Sequence, residues 1–322
     1  MTRMSVEQAI HYALRTELER DPTVILIGEG VATKHHDLVS DFGAARVRNT
    51  PLAEAIIAGT AVGAAASGLR PVIDLLFAPF MAYSMDALIN SAGKLRYLSG
   101  GQFSFPLVAL AMTGSGWCVG GQHNHNLEAM FVHAPGLKVV MPSNPADFAG
   151  LLRAAIRDDN PVVFLTDLGL LHQEGEVPED DGFIVPIGQA EVRRSGSDLT
   201  LVSYGKTVGI CLQAAAQLQE SGVSAEVIDL RSLKPLDEDA VLQSVRKTGR
   251  LIIVHEASGL CGMAAELAAL AVGKAFGALR APVVRLTGPD APSASSWALE
   301  QAAVPQPQAI VDAALGLLQA AR

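Results

Sequence analysis

The sequence predicts an α/β protein with two doubly wound domains, each built on a parallel sheet covered by helices on both faces. Short runs rich in Val, Ile and Leu alternate with longer stretches of helical periodicity along most of the chain, a pattern typical of βαβ units. One polar, acidic stretch, "HQEGEVPEDDG", interrupts this alternation near the middle. We therefore predict a first domain over residues 1–170, a linker over 171–187 and a second domain over 188–322.

The individual elements are predicted in chain order from the same apolar runs and helical periodicity. Ser5 and Gln8 have the spacing of a capping box and predict the start of the first helix. Pro145 stands where a first helical turn tolerates proline, because the missing N–H has no intrahelical partner there. Helices are further predicted at 53–67, 84–98 and 145–158, and strands at 23–30, 71–77, 105–112, 161–165, 199–205, 225–230, 251–256 and 282–288.

Composition and charge narrow the class of protein. Hydrophobic residues make up 49% of the 322 residues and charged residues 18%, which allows a large core. The formal charge is −9 and no basic stripe is visible, so nucleic acid is a poor candidate partner. Widely spaced cysteines without a Cys-x-x-Cys argue against a disulfide framework or a zinc knuckle and suit a reducing cytosol; they are Cys118, Cys211 and Cys261.

Two further stretches bear on localisation. The first residues, "MTRMSVEQAIHYAL", lack the long apolar segment of a signal peptide. The run of mostly Ala and Gly at 55–68 is too short and too weakly apolar to span a bilayer. We therefore expect a cytoplasmic protein without a membrane partner.

The segment "GGQHNHNLEAMFVHAPG" concentrates three histidines, His123, His125 and His133. Metal binding is one interpretation, because His-x-His can offer two ligands from one strand. No acid or cysteine cluster accompanies them at typical spacing, which favours a polar loop at the carboxyl end of the strand predicted at 105–112. Ligands bind at that edge of an open parallel sheet. Neither a Walker A motif nor a dinucleotide fingerprint is present; "GEGVA" lacks the third glycine.

The sequence "RAAIRDDNP" ends a helix and enters a strand. Asp158, Asp159 and Asn160 are typical of a simple turn before Pro161. The free carbonyls of the helix end, together with these side-chain oxygens, could alternatively hold a monovalent cation.

One carboxylate opens the small and apolar run "TPLAEAIIAG", and it belongs to Glu54. Acids seldom enter such surroundings without a partner. The residues alone favour a glutamate in a first helical turn, stabilised by the helix dipole. Pattern and composition therefore indicate an α/β enzyme or enzyme subunit and no particular reaction.

Eight segments in order along nearly the whole chain carry a resemblance to a known family. They are "RVRNTPLAEAIIAG", "GLRPVIDLLF", "INSAGKLRYLSGGQF", "HAPGLKVVMPSNPAD", "AAIRDDNPVVF", "VIDLRSLKPLD", "KTGRLIIVHEA" and "APVVRLTGPDAP". With these segments the sequence is similar to the β subunits of the thiamine-diphosphate-dependent, decarboxylating component of 2-oxo acid dehydrogenase complexes, which act on pyruvate, branched-chain 2-oxo acids or acetoin. The resemblance implies a pyrimidine-type thiamine-diphosphate-binding fold followed by a transketolase C-terminal-like domain.

The resemblance implies a role for three side chains. Glu54 matches the glutamate that hydrogen-bonds N1′ of the thiamine aminopyrimidine, which favours the imino tautomer whose nitrogen takes the C2 proton. Phe80 matches the aromatic residue that packs on that ring, and a core Phe is the alternative. His123 matches the active-site histidine, a candidate acid for the reaction intermediate or the incoming lipoyl group.

The resemblance also implies a cation and a partner subunit. A potassium ion with a structural role would be held partly through backbone carbonyls. This chain lacks the Gly-Asp-Gly motif that holds the diphosphate through Mg²⁺, so an α subunit would supply it in an α2β2 assembly. The second domain would serve contact between β subunits and docking of the lipoyl acyltransferase core. The potassium residues are Leu107, Ala155, Ile156, Asp158 and Asn160.

Departures from the family pattern keep other functions open. His123-Asn124-His125 replaces the usual His-Ser-Gln, Leu165-Thr166-Asp167 follows "PVVF", and the region before "RVRNTPLAE" is shorter than usual. One alternative is a two-chain thiamine-diphosphate-dependent carboligase or split transketolase, which passes the carbanion to a carbonyl acceptor. The other is a catalytically inactive scaffold subunit, against which the joint presence of Glu54, Phe80 and His123 argues.

Overall fold

In the computed structural model, which describes residues 1–320, the first part of the chain folds around a seven-stranded sheet and the rest around a five-stranded sheet. The helices are α1 (Val6–Arg20), α2 (Val31–Lys34), α3 (His36–Phe42), α4 (Glu54–Ala66), α5 (Gly93–Leu98), α6 (Glu128–His133), α7 (Pro145–Arg157), α8 (Thr207–Glu220), α9 (Glu238–Thr248), α10 (Met263–Ala275), α11 (Trp297–Ala303) and α12 (Pro307–Ala320). The strands are β1 (Thr2–Ser5), β2 (Val24–Gly28), β3 (Val47–Asn49), β4 (Arg70–Phe77), β5 (Val108–Thr113), β6 (Lys138–Val140), β7 (Val162–Asp167), β8 (Glu174–Val177), β9 (Glu191–Arg194), β10 (Leu199–Ser203), β11 (Ala225–Asp229), β12 (Ser232–Lys234), β13 (Leu251–Ser258) and β14 (Val284–Gly288).

The two large sheets have the doubly wound α/β architecture that the sequence predicts. The first has the strand order β12-β6-β7-β5-β4-β2-β3, and the second β14-β13-β10-β11-β9. Neighbouring strands are parallel except at one edge of each sheet, where β12 and β9 run antiparallel. Because β12 comes from the second half of the chain, it joins the two parts. Within the described residues no helix is long and apolar enough to cross a membrane.

The two sheets share one hydrophobic core. A continuous cluster of buried side chains runs from Ala109 and Val163 of the first sheet to Val202 and Ile253 of the second. The second half of the chain therefore packs directly on the strands that lead into the loops of the first.

Most predicted elements have the expected type, and two regions differ. Ser5 caps α1, with a 3.2 Å hydrogen bond from the Gln8 amide and a 2.9 Å bond back from the Ser5 amide to the Gln8 side chain. The helix predicted at 84–98 is present, but it begins as a π-helical segment, Asp86–Ala92, and becomes α-helical only in α5; a 3₁₀ segment that was not predicted, Ala78–Ser84, precedes it. A four-residue spacing of apolar positions, as at Leu88 and Ala92, fits either kind of helix.

The segment predicted as a linker contains a strand. β8 lies within 171–187 and pairs antiparallel with β1 in a small surface ribbon. Its first three residues are two glutamates and a glycine, which all reach solvent. No alternation of apolar and polar residues therefore marks this strand in the sequence.

Candidate functional site

Glu54 is the first residue of α4, and its side chain is half-buried. The hydroxyl of the buried Ser84 donates to the Glu54 carbonyl at 2.9 Å, which fixes the backbone at this helix start. Among the described residues the Glu54 carboxylate forms no hydrogen bond or ion pair. The flanking Leu52 and Ile56 are each 70% exposed, so an apolar surface surrounds a carboxyl group whose oxygens are free to bind a ligand.

Phe80 and His123 lie ring against ring. Their centroids are 5.2 Å apart with an interplanar angle of 76°, an edge-to-face arrangement. Phe77, at the end of β4, contacts both rings, with centroids 5.8 Å from Phe80 and 5.2 Å from His123. Phe80 belongs to the same 3₁₀ turn as Ser84, so this turn connects the aromatic group to the start of α4. Nothing in the sequence pattern indicated the contribution of Phe77.

The loop from β5 to α6 carries His123 and separates the three histidines. His123 and His125 are both exposed, and the His125 carbonyl accepts from Thr113 at 3.0 Å. His133 lies at the end of α6 and lines a different cavity. Within residues 1–320 no group of three or more His, Cys, Asp or Glu side chains could hold a metal ion. The three histidines therefore do not form one cluster among the described residues, and the polar-loop interpretation stays a prediction.

A buried ion network lies behind this loop and was not found from the sequence. Lys206 contacts the Glu256 carboxylate at 2.6 Å and the Asp167 carboxylate at 3.7 Å. Burial raises the pKa of Asp167 well above its ordinary value, although Lys206 lies beside it. Glu256 also accepts from the amide and hydroxyl of Ser115, at 3.3 and 2.9 Å, at the start of the loop. Asp167 and Glu256 each stand at the carboxyl end of a parallel strand, the one sequence signal that could have indicated them.

A second buried carboxyl group lies below the same loop. Burial raises the pKa of Glu128 to about 7, and the Tyr204 hydroxyl donates to its Oε1 at 2.7 Å. Its other oxygen, Oε2, has no hydrogen-bond partner among the described residues. Glu128 is therefore a carboxyl group that keeps its proton more readily than an exposed glutamate.

A cavity of about 390 Å³ opens between the loop and the second half of the chain. Asn124 and Asn126 line it on one side, and Glu256, Asp290 and Glu300 on the other. The lining is rich in hydrogen-bond acceptors, so the cavity suits water or small polar groups.

The residues implied in potassium binding meet at the turn between α7 and β7 and at the start of β5. The carbonyls of Ile156 and Asp158 both accept from Nη1 of Arg70, each at 3.1 Å. The Ala155 carbonyl accepts from the Asp158 amide at 3.3 Å, and the Leu107 carbonyl also accepts one backbone amide. The carbonyl groups of Ala155 and Leu107 therefore each keep one lone pair for a cation.

Side chains at the same turn are already paired with protein cations. Asp158 contacts Lys138 through one oxygen and accepts the amide and side chain of Asn160, at 2.8 Å each, through the other. Arg96 donates to Oδ1 of Asn160 at 3.0 Å. The donor set consists of oxygens, as potassium requires, but guanidinium and ammonium groups share it. Potassium binding at this turn stays a prediction.

Comparison with known proteins gives two family matches that together cover most of the chain. Residues 2–173 match the model described as the transketolase pyrimidine binding domain, and residues 188–310 match the transketolase C-terminal domain. Among solved structures, a split-gene transketolase, described as an inactive β4 tetramer, aligns with a TM-score of 0.81 over 99% of both chains. Its sequence identity is 23%, so this likeness shows the fold.

Curated relatives are similar over nearly the full length. The β subunit of the acetoin:2,6-dichlorophenolindophenol oxidoreductase of Bacillus subtilis (strain 168) is 42% identical, covering 98% of this chain and 97% of its own. The β subunit of the pyruvate dehydrogenase E1 component of Rhizobium meliloti (strain 1021) is 41% identical, covering 97% and 69%. The 2-oxoisovalerate dehydrogenase β subunit of Bacillus subtilis (strain 168) is 41% identical, covering 91% of each chain.

Proposed function

The chain belongs to the thiamine-diphosphate-dependent family that contains the E1 β subunits of the pyruvate, acetoin and branched-chain 2-oxo acid dehydrogenases, and on that premise we propose how it works. It is the β subunit of an enzyme that decarboxylates a 2-oxo acid, or cleaves acetoin, and passes the acyl group to lipoamide. It is active only with an α subunit. The observation that carries the proposal is the unpartnered Glu54 carboxylate, joined through one turn to the ring of Phe80, which faces His123.

The described residues fit the pyrimidine half of thiamine diphosphate. The Glu54 carboxyl group has no partner among the described residues and stands at the start of a helix among apolar neighbours, where a hydrogen bond to a ring nitrogen is strengthened. Phe80 offers a flat apolar face for a flat heterocycle. When bound, the cofactor supplies a nucleophilic carbon and accepts the electron pair released on decarboxylation. Glu54 holds a proton at N1′, and His123 moves a proton close to the substrate.

A partner subunit would bind the diphosphate end of the cofactor and its metal ion. The chain lacks Gly-Asp-Gly, and the described residues contain no metal-binding cluster. We therefore assign Mg²⁺ and the diphosphate to an α subunit in an α2β2 assembly, with the site at the interface. The exposed apolar side chains around Glu54 support a protein interface there: Leu52, Ile56 and Tyr83 are 70, 70 and 72% exposed. A lipoyl acyltransferase core would be the next partner.

The test is reconstitution with an α subunit that carries Gly-Asp-Gly. Turnover is measured with pyruvate, acetoin and 3-methyl-2-oxobutanoate, with 2,6-dichlorophenolindophenol and then a lipoyl domain as acceptor. We expect Glu54→Gln to lower turnover with either acceptor by about 10²–10⁴-fold. Glu7→Gln is the matched control, because Glu7 is an exposed glutamate in the first turn of α1.

Three outcomes would count against the proposal in different ways. Activity with an aldehyde acceptor, but none with the lipoyl domain, would favour the carboligase or split transketolase. Unchanged turnover in Glu54→Gln would support the scaffold alternative. Full activity of the chain without an α subunit would contradict the shared site.

A further inference from the structure

A carboxylate from near the other end of the chain holds the loop that carries His123. Glu300, in α11, is 1% exposed and accepts four hydrogen bonds from this loop. Its Oε2 accepts from the Gly116 amide at 3.0 Å, and its Oε1 from the Cys118 amide at 3.1 Å. The Asn124 side-chain amide donates at 3.2 Å and the Cys118 thiol at 3.5 Å. One buried side chain therefore fixes the segment on both sides of His123.

The contacts suit a carboxylate group, which offers two acceptor oxygens. All four partners are donors, two on each oxygen, and hydrogen bonds to a charged acceptor are about twice as strong as neutral ones. A glutamine at this position has one oxygen and one NH₂ group. In either orientation of its amide, the NH₂ group, itself a donor, would face two of the donors of the loop. The Asn124 amide orientation follows from the same contact, because only its nitrogen can face Glu300.

The loop has a backbone conformation that needs such support. Cys118 has a φ of 55°, in the left-handed region, where a side chain costs about 1–2 kcal/mol. The loop also lies directly on the segment before α11. A Cβ added to Gly120 would be 2.7 Å from Oγ of Ser295, and one added to Gly121 would be 3.1 Å from Pro292. The shape of the loop is therefore set by the second domain as well as by its own sequence.

We propose that Glu300 is a positioning residue, which sets the place of His123 against Phe77 and Phe80 by anchoring both sides of the loop from the second domain. The inference rests on the proposed function for the role of His123 in the reaction. The anchoring of the loop by Glu300 does not depend on the proposed function. The C-terminal domain thus contributes to the chemistry of a site whose groups lie in the first.

The first test uses the complex with its α subunit and compares Glu300→Gln with Glu226→Gln. Glu226 is also a buried glutamate of the second domain, but it contacts Lys247 and the Gly196 amide and not the loop. Exchange of the C2 proton of bound thiamine diphosphate depends on Glu54 and is expected to be unchanged in both variants. Acylation of the lipoyl domain is expected to fall by about 10–100-fold in Glu300→Gln alone, since displacement of a catalytic group by about 1 Å has effects of this size.

The second test measures the loop in the full chain, whatever its activity. Burial and the nearby Glu300 carboxylate raise the pKa of the Cys118 thiol. Glu300→Gln should therefore speed alkylation of the half-buried Cys118 by iodoacetamide several-fold at neutral pH, read by peptide mapping. The exposed Cys261 is the internal control and should react at the same rate in both proteins.

Asn124→Ala removes one of the four donors and serves if Glu300→Gln does not fold. Like Glu300→Gln, it should lower lipoyl acylation and raise Cys118 alkylation, in each case by a smaller factor. Unchanged Cys118 alkylation in a folded variant would overturn the anchoring. Faster alkylation with unchanged lipoyl acylation would overturn the positioning role. A wild-type complex without thiamine-dependent turnover would instead refute the proposed function and leave the alkylation result to decide the anchoring.

Discussion

Ser84 donates its hydroxyl to the backbone carbonyl of Glu54 across 2.9 Å. The two residues are far apart in sequence, and Ser84 is fully buried. This bond joins the turn that carries Phe80 to the first turn of α4, so the flat ring and the carboxyl group are held in one fixed relation. The geometry proposed for cofactor binding thus depends on a buried side chain that is not itself one of the proposed cofactor contacts.

Ser84→Ala should loosen this relation. Loss of one buried hydrogen bond costs about 0.5–1.5 kcal/mol of unfolding free energy. We expect weaker binding of thiamine diphosphate to the reconstituted complex, measured by titration of activity, with a smaller change in turnover at saturation. Ser40→Ala is the control, because Ser40 donates to a backbone carbonyl at 3.1 Å on the exposed side of α3. An equal cofactor affinity in both variants would refute the connection.

Gly114→Ala should be far more costly than a typical glycine substitution. Gly114 has a φ of 78°, and an added Cβ would be 2.2 Å from Oε1 of Glu256, which Lys206 holds in place. Breaking a buried ion pair costs about 3–5 kcal/mol. Gly30→Ala separates the two effects, since Gly30 has a similar φ of 67° and open space around it. Urea unfolding should show a loss of about 1–2 kcal/mol for Gly30→Ala and clearly more for Gly114→Ala. Equal losses would show that the clash is relieved without breaking the network.

The fold could be predicted because it depends on local patterns, and much of the site could not. The segments β4, β5 and β7 are mostly apolar and alternate with helical stretches, so their strand character is visible in the sequence. Glu300 lies in a short helix directly after the exposed Trp297 and Leu299. From its sequence surroundings it would be taken for a surface residue. Its role exists only through contacts with residues about 180 positions earlier. Phe77 likewise continues a buried strand pattern and gives no sign of its contact with His123.

Glu128 should make stability depend on pH between about 4.5 and 7. Burial raises its folded pKa to about 7 from an ordinary value of 4.5. Below 4.5 both states are protonated; between these values the unfolded chain releases the proton and the folded chain keeps it, so stability falls as pH rises. Glu128→Gln keeps the acceptor for Tyr204 and removes the ionisation. Its stability relative to wild type should therefore rise by no more than about 3 kcal/mol from pH 4.5 to 7.5, measured by urea unfolding. Glu7→Gln, at an exposed position, should give a flat difference, and a flat difference for Glu128→Gln would contradict the burial argument.

Potassium should stabilise the turn between α7 and β7 only modestly. Arg70, Arg96 and Lys138 already contact oxygens of this turn, so the ion adds to an arrangement that protein cations partly hold. At a tenfold excess over its dissociation constant, one bound ion contributes about 1.4 kcal/mol, and repulsion by the neighbouring cations reduces the affinity. We expect a slightly higher Tm in potassium chloride than in sodium chloride at equal ionic strength, and loss of that difference in Asp158→Asn. Asp159→Asn is the matched control: the neighbouring Asp159 pairs with Arg70 and is not among the proposed ligands, so this variant should keep the difference. Equal Tm values of the wild-type protein in the two salts would show that the protein's own cations suffice at this turn.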